Sequence, residues 1–164
     1  MLTIKNHKGS FQVRTAGVMQ KANKILLLNE PLVGEYWFLP GGRTEMHEST
    51  DQTLFRELEE EMNAKPKIGR LLWVIENFFT LRETPFHTLG FYYAVEIPQS
   101  HPLSHQEEYF TERNEESLLK KFHFRWCSLS EIQSMDVRPP CLKELLAETN
   151  RSSAVTHFVV REMG

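Results

Sequence analysis

The most constraining feature of the sequence is an acidic helix with a clear signal at each end. Ser49, with Gln52 three residues later, forms a capping box, so we expect the helix to begin near Thr50. Asn63 suits the left-handed residue that closes many helices, so the helix should end at Met62. Because both ends are defined, the faces of this helix can be assigned on a helical wheel.

The wheel separates a carboxylate cluster from an apolar stripe. At about 100° per residue, Glu57, Glu60 and Glu61 share one face, and Glu59 points away from them. The stripe expected to face the core consists of Leu54, Phe55, Leu58 and Met62. Neighbouring carboxylates repel one another, but a divalent cation bound between them makes their proximity favourable. For an acidic run alone, however, a solvated helix face is the simpler interpretation.

Strand predictions come from alternating or continuous runs of apolar, aromatic and β-branched residues. The Ile25–Leu28 run indicates burial on both faces of its strand. Pro40-Gly41-Gly42 predicts a loop. The predicted strands span residues 11–20, 24–29, 36–39, 68–79, 86–97, 122–126 and 155–161.

The remaining segments complete the predicted architecture. Residues 81–85 are predicted to form a hairpin loop, and residues 98–117 a long surface loop. Ser128 opens a short helix through a second capping box, and Pro140 suits the first turn of another. Strands before and after a helix favour a mixed sheet with helices packed against it, which is either an α+β fold or a three-layer sandwich. We expect one domain over residues 1–164.

Charge and cysteine content narrow the function classes. A net charge of −3 argues against a binder of nucleic-acid polymers or anionic membranes, which need a basic excess. Cys127 and Cys141 show neither metal-ligand spacing nor a disulfide framework, so we expect reduced thiols. The first residues lack the apolar run of a signal peptide, and the apolar stretch Leu71–Ile75 is too short to span a bilayer. We therefore expect a cytoplasmic protein.

The spacing around the helix resembles a known motif. It reads Gly42, five residues, Glu48, seven residues, Arg56-Glu57-Leu58, one residue, Glu60-Glu61, one residue, Asn63-Ala64. This resembles the Nudix box of the Nudix hydrolases, Gly-x5-Glu-x7-Arg-Glu-U-x-Glu-Glu-x-Gly-U, with U aliphatic. The late glycine is Asn63 here, a mild departure because Asn adopts the left-handed conformation more readily than most residues. Flanking strands extend the resemblance to most of the chain.

The resemblance implies a fold, a cofactor and a reaction class. The implied fold is an α/β/α sandwich around a mixed β-sheet. The implied cofactor is Mg²⁺, with Mn²⁺ as the alternative, held by the loop and helix of the box. The implied reaction is attack of water on one phosphorus of a nucleoside diphosphate derivative, a small-molecule substrate. The backbone carbonyl of Gly42 is an expected extra metal ligand.

Roles for the other box residues also follow from the resemblance. Glu57 and Glu61 would be the principal Mg²⁺ ligands, with Glu60 either a further ligand or the catalytic base. Arg56 would orient a catalytic glutamate, and Glu48 would support the loop or the metal shell. These roles apply to this chain only if the structure brings the residues together.

Candidates outside the box rest on weaker signals. Glu76 interrupts an apolar strand and needs a partner, which the substrate site or another group could supply. Arg14 could reach a substrate phosphate or face solvent, and Phe79 could stack on a base or pack in the core. Five carboxylates of the predicted long loop are candidates for a distal base: Glu107, Glu108, Glu112, Glu115 and Glu116.

Other functions stay open beside hydrolysis. A nucleotide-binding regulator with the same fold would lose box carboxylates, which this chain keeps. An isomerase of isoprenoid diphosphates would need a cysteine near the box, and neither cysteine is there. Nucleoside diphosphate sugars such as ADP-ribose, nucleoside triphosphates and dinucleoside polyphosphates all stay open as substrates, and so does a homodimer.

Overall fold

A computed structural model describes residues 1–148 and 153–162. The first β-sheet contains β1 (Thr3–Asn6), β2 (Gly9–Val18), β5 (Gly41–Arg43), β6 (Lys67–Leu81), β7 (Thr84–Glu96) and β10 (Thr156–Arg161). The second contains β3 (Gln20–Lys21), β4 (Lys24–Asn29), β8 (Glu108–Glu115) and β9 (Leu118–Ser128). The helices are α1 (Thr50–Met62), α2 (Leu129–Ser134) and α3 (Leu142–Ala147), with a 3₁₀ turn at Pro102–Ser104.

The first sheet is mixed, as predicted. Its order is β1-β2-β7-β6-β10, and β5 pairs with β2 beside β1. The β2–β7 and β6–β10 pairs are parallel, whereas the long β6–β7 hairpin is antiparallel. The hairpin turn is tighter than the predicted loop, since the strands continue to Leu81 and resume at Thr84.

The second sheet lies between helices on both sides, which confirms the sandwich. Ile25 and Leu27 of β4 pack in the cluster that also contains residues of α2 and α3. Leu26 and Leu28 point the other way and pack with residues of α1. All four side chains are at most 1 % exposed. Burial of β4 on both faces was predicted from its unbroken apolar run, and it is confirmed.

Helix α1 begins and ends where the caps predicted. The Gln52 side chain accepts a hydrogen bond from the Ser49 backbone N–H at 3.0 Å. Asn63 is left-handed at φ 55°, and its N–H donates to the Glu59 carbonyl. The buried His101 adds a tertiary cap, with Nε2 2.8 Å from the Met62 carbonyl.

The buried arc of α1 is shifted relative to the predicted apolar stripe. Leu54, Leu58 and Met62 are fully buried, but Phe55 is 36 % exposed, so its placement in the apolar stripe was wrong. The buried arc extends instead toward Glu57 and Glu61. The helix contacts β5 and β2 along this side, and that contact requires a carboxylate-bearing face to lie inward.

Two predictions around the Pro-Gly-Gly segment need correction. Residues 36–39 do not form a strand but make single bridges, Leu28 with Phe38 and Trp37 with Val137. Gly41 and Gly42 are not only loop, because they begin β5. A Cβ on Gly41 would lie 2.0 Å from the Thr15 carbonyl oxygen, so glycine is what allows this close pairing.

The prediction that residues 98–117 form a long loop was also wrong for this segment. It contains the 3₁₀ turn and β8, an edge strand paired antiparallel with β9. Half-buried and exposed positions alternate along β8, but Arg113 and Glu115 occupy half-buried positions. These charges conceal the alternation that normally marks a strand.

No helix within residues 1–148 and 153–162 is long and apolar enough to cross a membrane.

The packing of α1 predicts contrasting effects for two truncations. We expect Leu58→Ala to lower the free energy of unfolding by about 3 kcal/mol, because it leaves a cavity beneath a side chain that is 0 % exposed. The matched variant Phe55→Ala should cost under about 1 kcal/mol, since this side chain is already partly in water. Urea unfolding measures both, and equal losses would contradict the assignment of the buried arc.

Candidate functional site

Gly42 of β5 lies closely against Glu57, the first carboxylate of the α1 cluster. A Cβ added to Gly42 would lie 2.2 Å from Cδ of Glu57 and 2.5 Å from its Oε1. Gly42 pairs with Thr15 of β2, so the position of its backbone is set by the sheet. Any larger residue at position 42 would therefore displace the Glu57 carboxylate.

The second carboxylate, Glu61, lies one helical turn farther along and is more deeply buried. The exposed fractions of Glu57 and Glu61 are 8 % and 6 %. Oε2 of Glu61 has no hydrogen-bond partner among residues 1–148 and 153–162. Burial raises the pKa of both groups, and the negative charge of Glu57 raises the pKa of Glu61 further. Such a pair is costly as two free anions and needs a cation.

Arg56 connects Glu57 to the loop before the helix. Its Nε and Nη2 donate to Oε1 and Oε2 of Glu48 at 2.7 and 2.9 Å, and its Nη1 donates to Oε1 of Glu57 at 2.9 Å. The hydrogen bond from Arg56, helped by one from Thr53, lowers the pKa of Glu48 to about 2. Arg56 thus fixes the Glu57 carboxylate and ties it to the ionised Glu48.

Glu60 occupies the solvent side of the cluster. Its side chain is 41 % exposed, and its Oε2 lies 2.5 Å from Nη1 of Arg113 and 3.6 Å from Nη1 of Arg56. Arg113 comes from β8, within the segment predicted to be loop, and no pattern along the chain indicates that it lies beside Glu60. Glu59 is exposed on α1, as the wheel predicted.

A cavity of about 430 Å³ opens beside these carboxylates. Its wall includes Gly42, Glu57 and Glu61 of the box, together with the predicted Arg14 and Phe79. This volume lies in the range typical of small-molecule sites. The ring of Phe79 is stacked on Phe86 at a centroid distance of 5.1 Å. The structure therefore brings most of the predicted residues to one space.

Glu76 does not reach that space. Side chains alternate along β6, so Asn77 and Phe79 line the cavity and Glu76 points to the opposite face of the sheet. There its carboxylate contacts Nε2 of His157 at 2.9 Å and Nε2 of His87 at 3.4 Å. The expectation that this charge needs a partner was sound, but the partner is a pair of histidines.

Two further residues of the cavity wall, Glu30 and Arg43, were not predicted from the sequence. Glu30 directly follows β4, and burial raises its pKa against the opposing effect of Lys120. Arg43 ends β5 beside Gly42. Neither residue belongs to a recognisable sequence motif. Their neighbours at the cavity come from other elements, which are distant along the chain.

The five candidates for a distal base are largely separated from the cavity. Only Glu115 lines it, and its carboxylate is paired with Lys120 and with Arg113. Glu107 pairs with Lys24, and Glu108 lies 3.0 Å from His123. The distal residues therefore offer one cavity carboxylate, and that one is already neutralised.

Comparison with known proteins agrees with this geometry. The NUDIX domain profile matches residues 11–149. Diphosphoinositol polyphosphate phosphohydrolase 3-alpha of Mus musculus is 37% identical over 57 residues, 35% of each chain. The ADP-ribose pyrophosphatase of Methanocaldococcus jannaschii is 40% identical over 65 residues, 38% of each. The alignment thus spans little more than a third of the length of these curated relatives.

A solved structure shows the same fold over a longer stretch. The crystal structure of a NUDIX hydrolase from Nitrosomonas europaea superposes with a TM-score of 0.61 at 20% identity, over 98% of this chain and 83% of that one. The mixed first sheet, the close approach of Gly42 to helix α1 and the profile match over most of the sequence lead to one conclusion. The chain belongs to the NUDIX family.

Proposed function

We propose that this protein is a Mg²⁺-dependent pyrophosphohydrolase that cleaves the diphosphate linkage of a nucleoside diphosphate derivative. The observation that carries the proposal is the pair of buried carboxylates, Glu57 and Glu61, on the wall of a cavity of nucleotide size. A merely solvated helix face would leave both side chains in water. Here both are under a tenth exposed, and one carboxylate oxygen has no partner in the described part of the chain.

The two carboxylates of the cavity wall suit a hard divalent cation that takes its other ligands from water and substrate. Mg²⁺ prefers a few carboxylate oxygens and completes its shell with water and substrate phosphates. Glu57 and Glu61 would hold it, with Glu60 as a further ligand or the base and the Gly42 carbonyl as an extra ligand. Mn²⁺ suits the same oxygens. When bound, the cation polarises a phosphoryl oxygen and lowers the pKa of a coordinated water.

The protein side chains have separate tasks in the proposed reaction. Water forms a new bond to one phosphorus, the bridging P–O bond breaks, and Glu60 accepts the proton of the water. Arg56 keeps Glu57 in place while charge moves, and Glu48 keeps Arg56 in place. The products are a nucleotide and a phosphorylated second moiety.

Substrate contacts come from the opposite walls of the cavity. Phe79 offers an aromatic surface for a base or a sugar, and Arg14 offers a charge for a phosphate. The names of the relatives suggest ADP-ribose and diphosphoinositol polyphosphate for a first screen, with nucleoside triphosphates and dinucleoside polyphosphates beside them.

Hydrolysis is favoured over nucleotide binding without turnover. A regulator has no use for two buried carboxylates and an arginine that orients one of them. The regulator hypothesis predicts binding of the nucleotides with no release of phosphorylated products at any metal concentration.

We expect the wild-type protein with Mg²⁺ to hydrolyse at least one compound of such a panel, measured by chromatography of released nucleotide. Glu57→Gln and Glu61→Gln should lower kcat by at least about 100-fold, because each removes charge from the cation site. Glu59→Gln is the matched control on the exposed side of the same helix and should retain activity. Tight nucleotide binding by an inactive wild type would instead support the regulator.

Metal binding should be visible in stability without any substrate. In EDTA, we expect Glu61→Gln to be at least as stable as wild type, because the amide carries no charge that could repel Glu57. Wild type should gain thermal stability with Mg²⁺ or Mn²⁺, and Glu61→Gln should lose that gain. A Mg²⁺-dependent shift of equal size in Glu61→Gln would argue against this ligand.

Glu48 should stabilise the fold in a defined pH range. Its folded-state pKa of about 2 lies below the ordinary 4.5, so its contribution is complete above about pH 4.5 and is lost as the pH falls toward 2. We expect Glu48→Gln to cost about 2 kcal/mol at pH 7, typical of a hydrogen bond to a charged group. Urea unfolding from pH 3 to 7 should show this difference shrinking at the acid end, whereas a constant difference would contradict the pairing.

A further inference from the structure

A row of three buried polar side chains crosses the face of the first sheet that lines the cavity. Gln12 of β2, Thr88 of β7 and Asn77 of β6 lie side by side, because Gln12 and Asn77 are both register partners of Thr88. The exposed fractions of the three residues are 6 %, 8 % and 9 %, in that order. All three line the cavity. Buried polar groups need hydrogen-bond partners, so the partners of this row decide what it can bind.

The amide of Asn77 is oriented by a carboxylate. Its Nδ2 donates to Oε1 of Glu162 at 2.8 Å. The reverse orientation would turn Oδ1 toward that carboxylate, and two acceptors repel each other, so this hydrogen bond fixes which amide atom is the oxygen. Oδ1 is buried and has no hydrogen-bond partner among residues 1–148 and 153–162. A buried amide oxygen costs free energy until a donor reaches it.

The other two side chains of the row already share one hydrogen bond. Nε2 of Gln12 donates to Oγ1 of Thr88 at 3.0 Å. Thr88 is therefore an acceptor toward Gln12, and its own hydrogen stays available for an acceptor on a ligand. Asn77 offers an acceptor beside it. Because a hydroxyl group both donates and accepts, one ligand hydroxyl can donate to Asn77 and accept from Thr88 at the same time.

The position of the row along the strands indicates which part of a substrate it meets. Gly42 pairs with Thr15, and Gln12 lies three residues farther along β2, about 10 Å away at 3.3 Å per residue. The stacked pair of Phe79 and Phe86 lies two residues beyond the row on the same face. In a nucleoside diphosphate the sugar joins the phosphates to the base. With the phosphates at the cation site and the base at the aromatic pair, the polar row lies at the sugar.

We propose that Gln12, Thr88 and Asn77 form a sugar subsite, in which Oδ1 of Asn77 accepts a hydrogen bond from a ribose hydroxyl. The protein selects ribonucleoside diphosphate derivatives over their deoxyribose counterparts, because a ligand without that hydroxyl leaves the buried amide oxygen without a donor. The identity of the ligand as a nucleoside diphosphate rests on the proposed function. The unpartnered oxygen and its orientation by Glu162 rest on the structure alone.

Binding to the full chain with Mg²⁺, measured by isothermal titration calorimetry, tests the subsite without catalysis. The probes are the α,β-methylene analogues of ADP, GDP, CDP and UDP, whose bridging CH₂ group resists hydrolysis, and their 2′-deoxy and 3′-deoxy forms. We expect at least one ribose probe to bind at least about 10-fold more tightly than its 2′-deoxy or 3′-deoxy form, as when a buried group loses its partner. Equal affinity of every ribose probe and its deoxy forms, or no binding of any probe, would overturn the proposal.

The variant Asn77→Leu assigns this preference to one side chain. It replaces the amide by an apolar group of the same branching, so the ribose probe should bind as weakly as the deoxy form, and the affinity ratio should fall toward 1. Asn114→Leu makes the same change at an exposed position of β8 that does not line the cavity, and it should keep the wild-type ratio. An unchanged ratio in Asn77→Leu would contradict the assignment.

A second variant keeps the test decisive if Asn77→Leu does not fold. Thr88→Val removes the hydroxyl but keeps a similar shape, and it should also lower the ratio of ribose to deoxyribose affinity. A wild-type ratio in Thr88→Val would count against the subsite.

The result is distinct from that of the hydrolysis assay. Preference for ribose probes in a protein that hydrolyses no compound of the panel would uphold the subsite and reject the hydrolase. Hydrolysis of ribose and deoxyribose substrates with equal kcat/KM would uphold the hydrolase and reject the subsite.

Discussion

The site depends on the close approach of the Glu57 carboxylate to Gly42. No side chain stands between β5 and α1 there, so the helix can lie against the sheet with a charged face inward. That approach buries Glu57 and Glu61, and α1 must then be held firmly enough to bear the cost of desolvation. Leu54, Leu58 and Met62 supply the apolar contacts on the neighbouring side of the same helix.

Charge is separated rather than cancelled across the cavity. Arg56 satisfies Glu57 and Glu48, but Glu61 keeps an unpartnered oxygen in the described structure, and Arg14 and Arg43 have no carboxylate of their own. A ligand with a cation at one end and phosphate oxygens at the other complements both. This local separation is compatible with the anionic substrate of the proposed function, although the chain has a net charge of −3.

The two sheets give these groups a rigid frame. β4 is packed on both faces, with α1 on one side and α2 and α3 on the other. The cavity lies beside this core, and its wall is built from β2, β5, β6 and β7 together with α1 and the β8–β9 hairpin. Side chains on regular elements are positioned more precisely than those on loops, which suits the cation and phosphate binding that the proposed function requires.

Features that depend on neighbours along the chain could be predicted from the residues alone. The capping residues defined α1 from Thr50 to Met62, the apolar run indicated burial of β4, and the spacing from Gly42 to Asn63 indicated the box. Long-range packing sets the orientations of Glu76 and Phe55, the approach of Arg113 on β8 to Glu60, and the position of Arg14 opposite Arg43. Caps and helical periodicity act within about four residues, whereas strand register joins residues far apart in sequence and depends on the packing of the whole sheet.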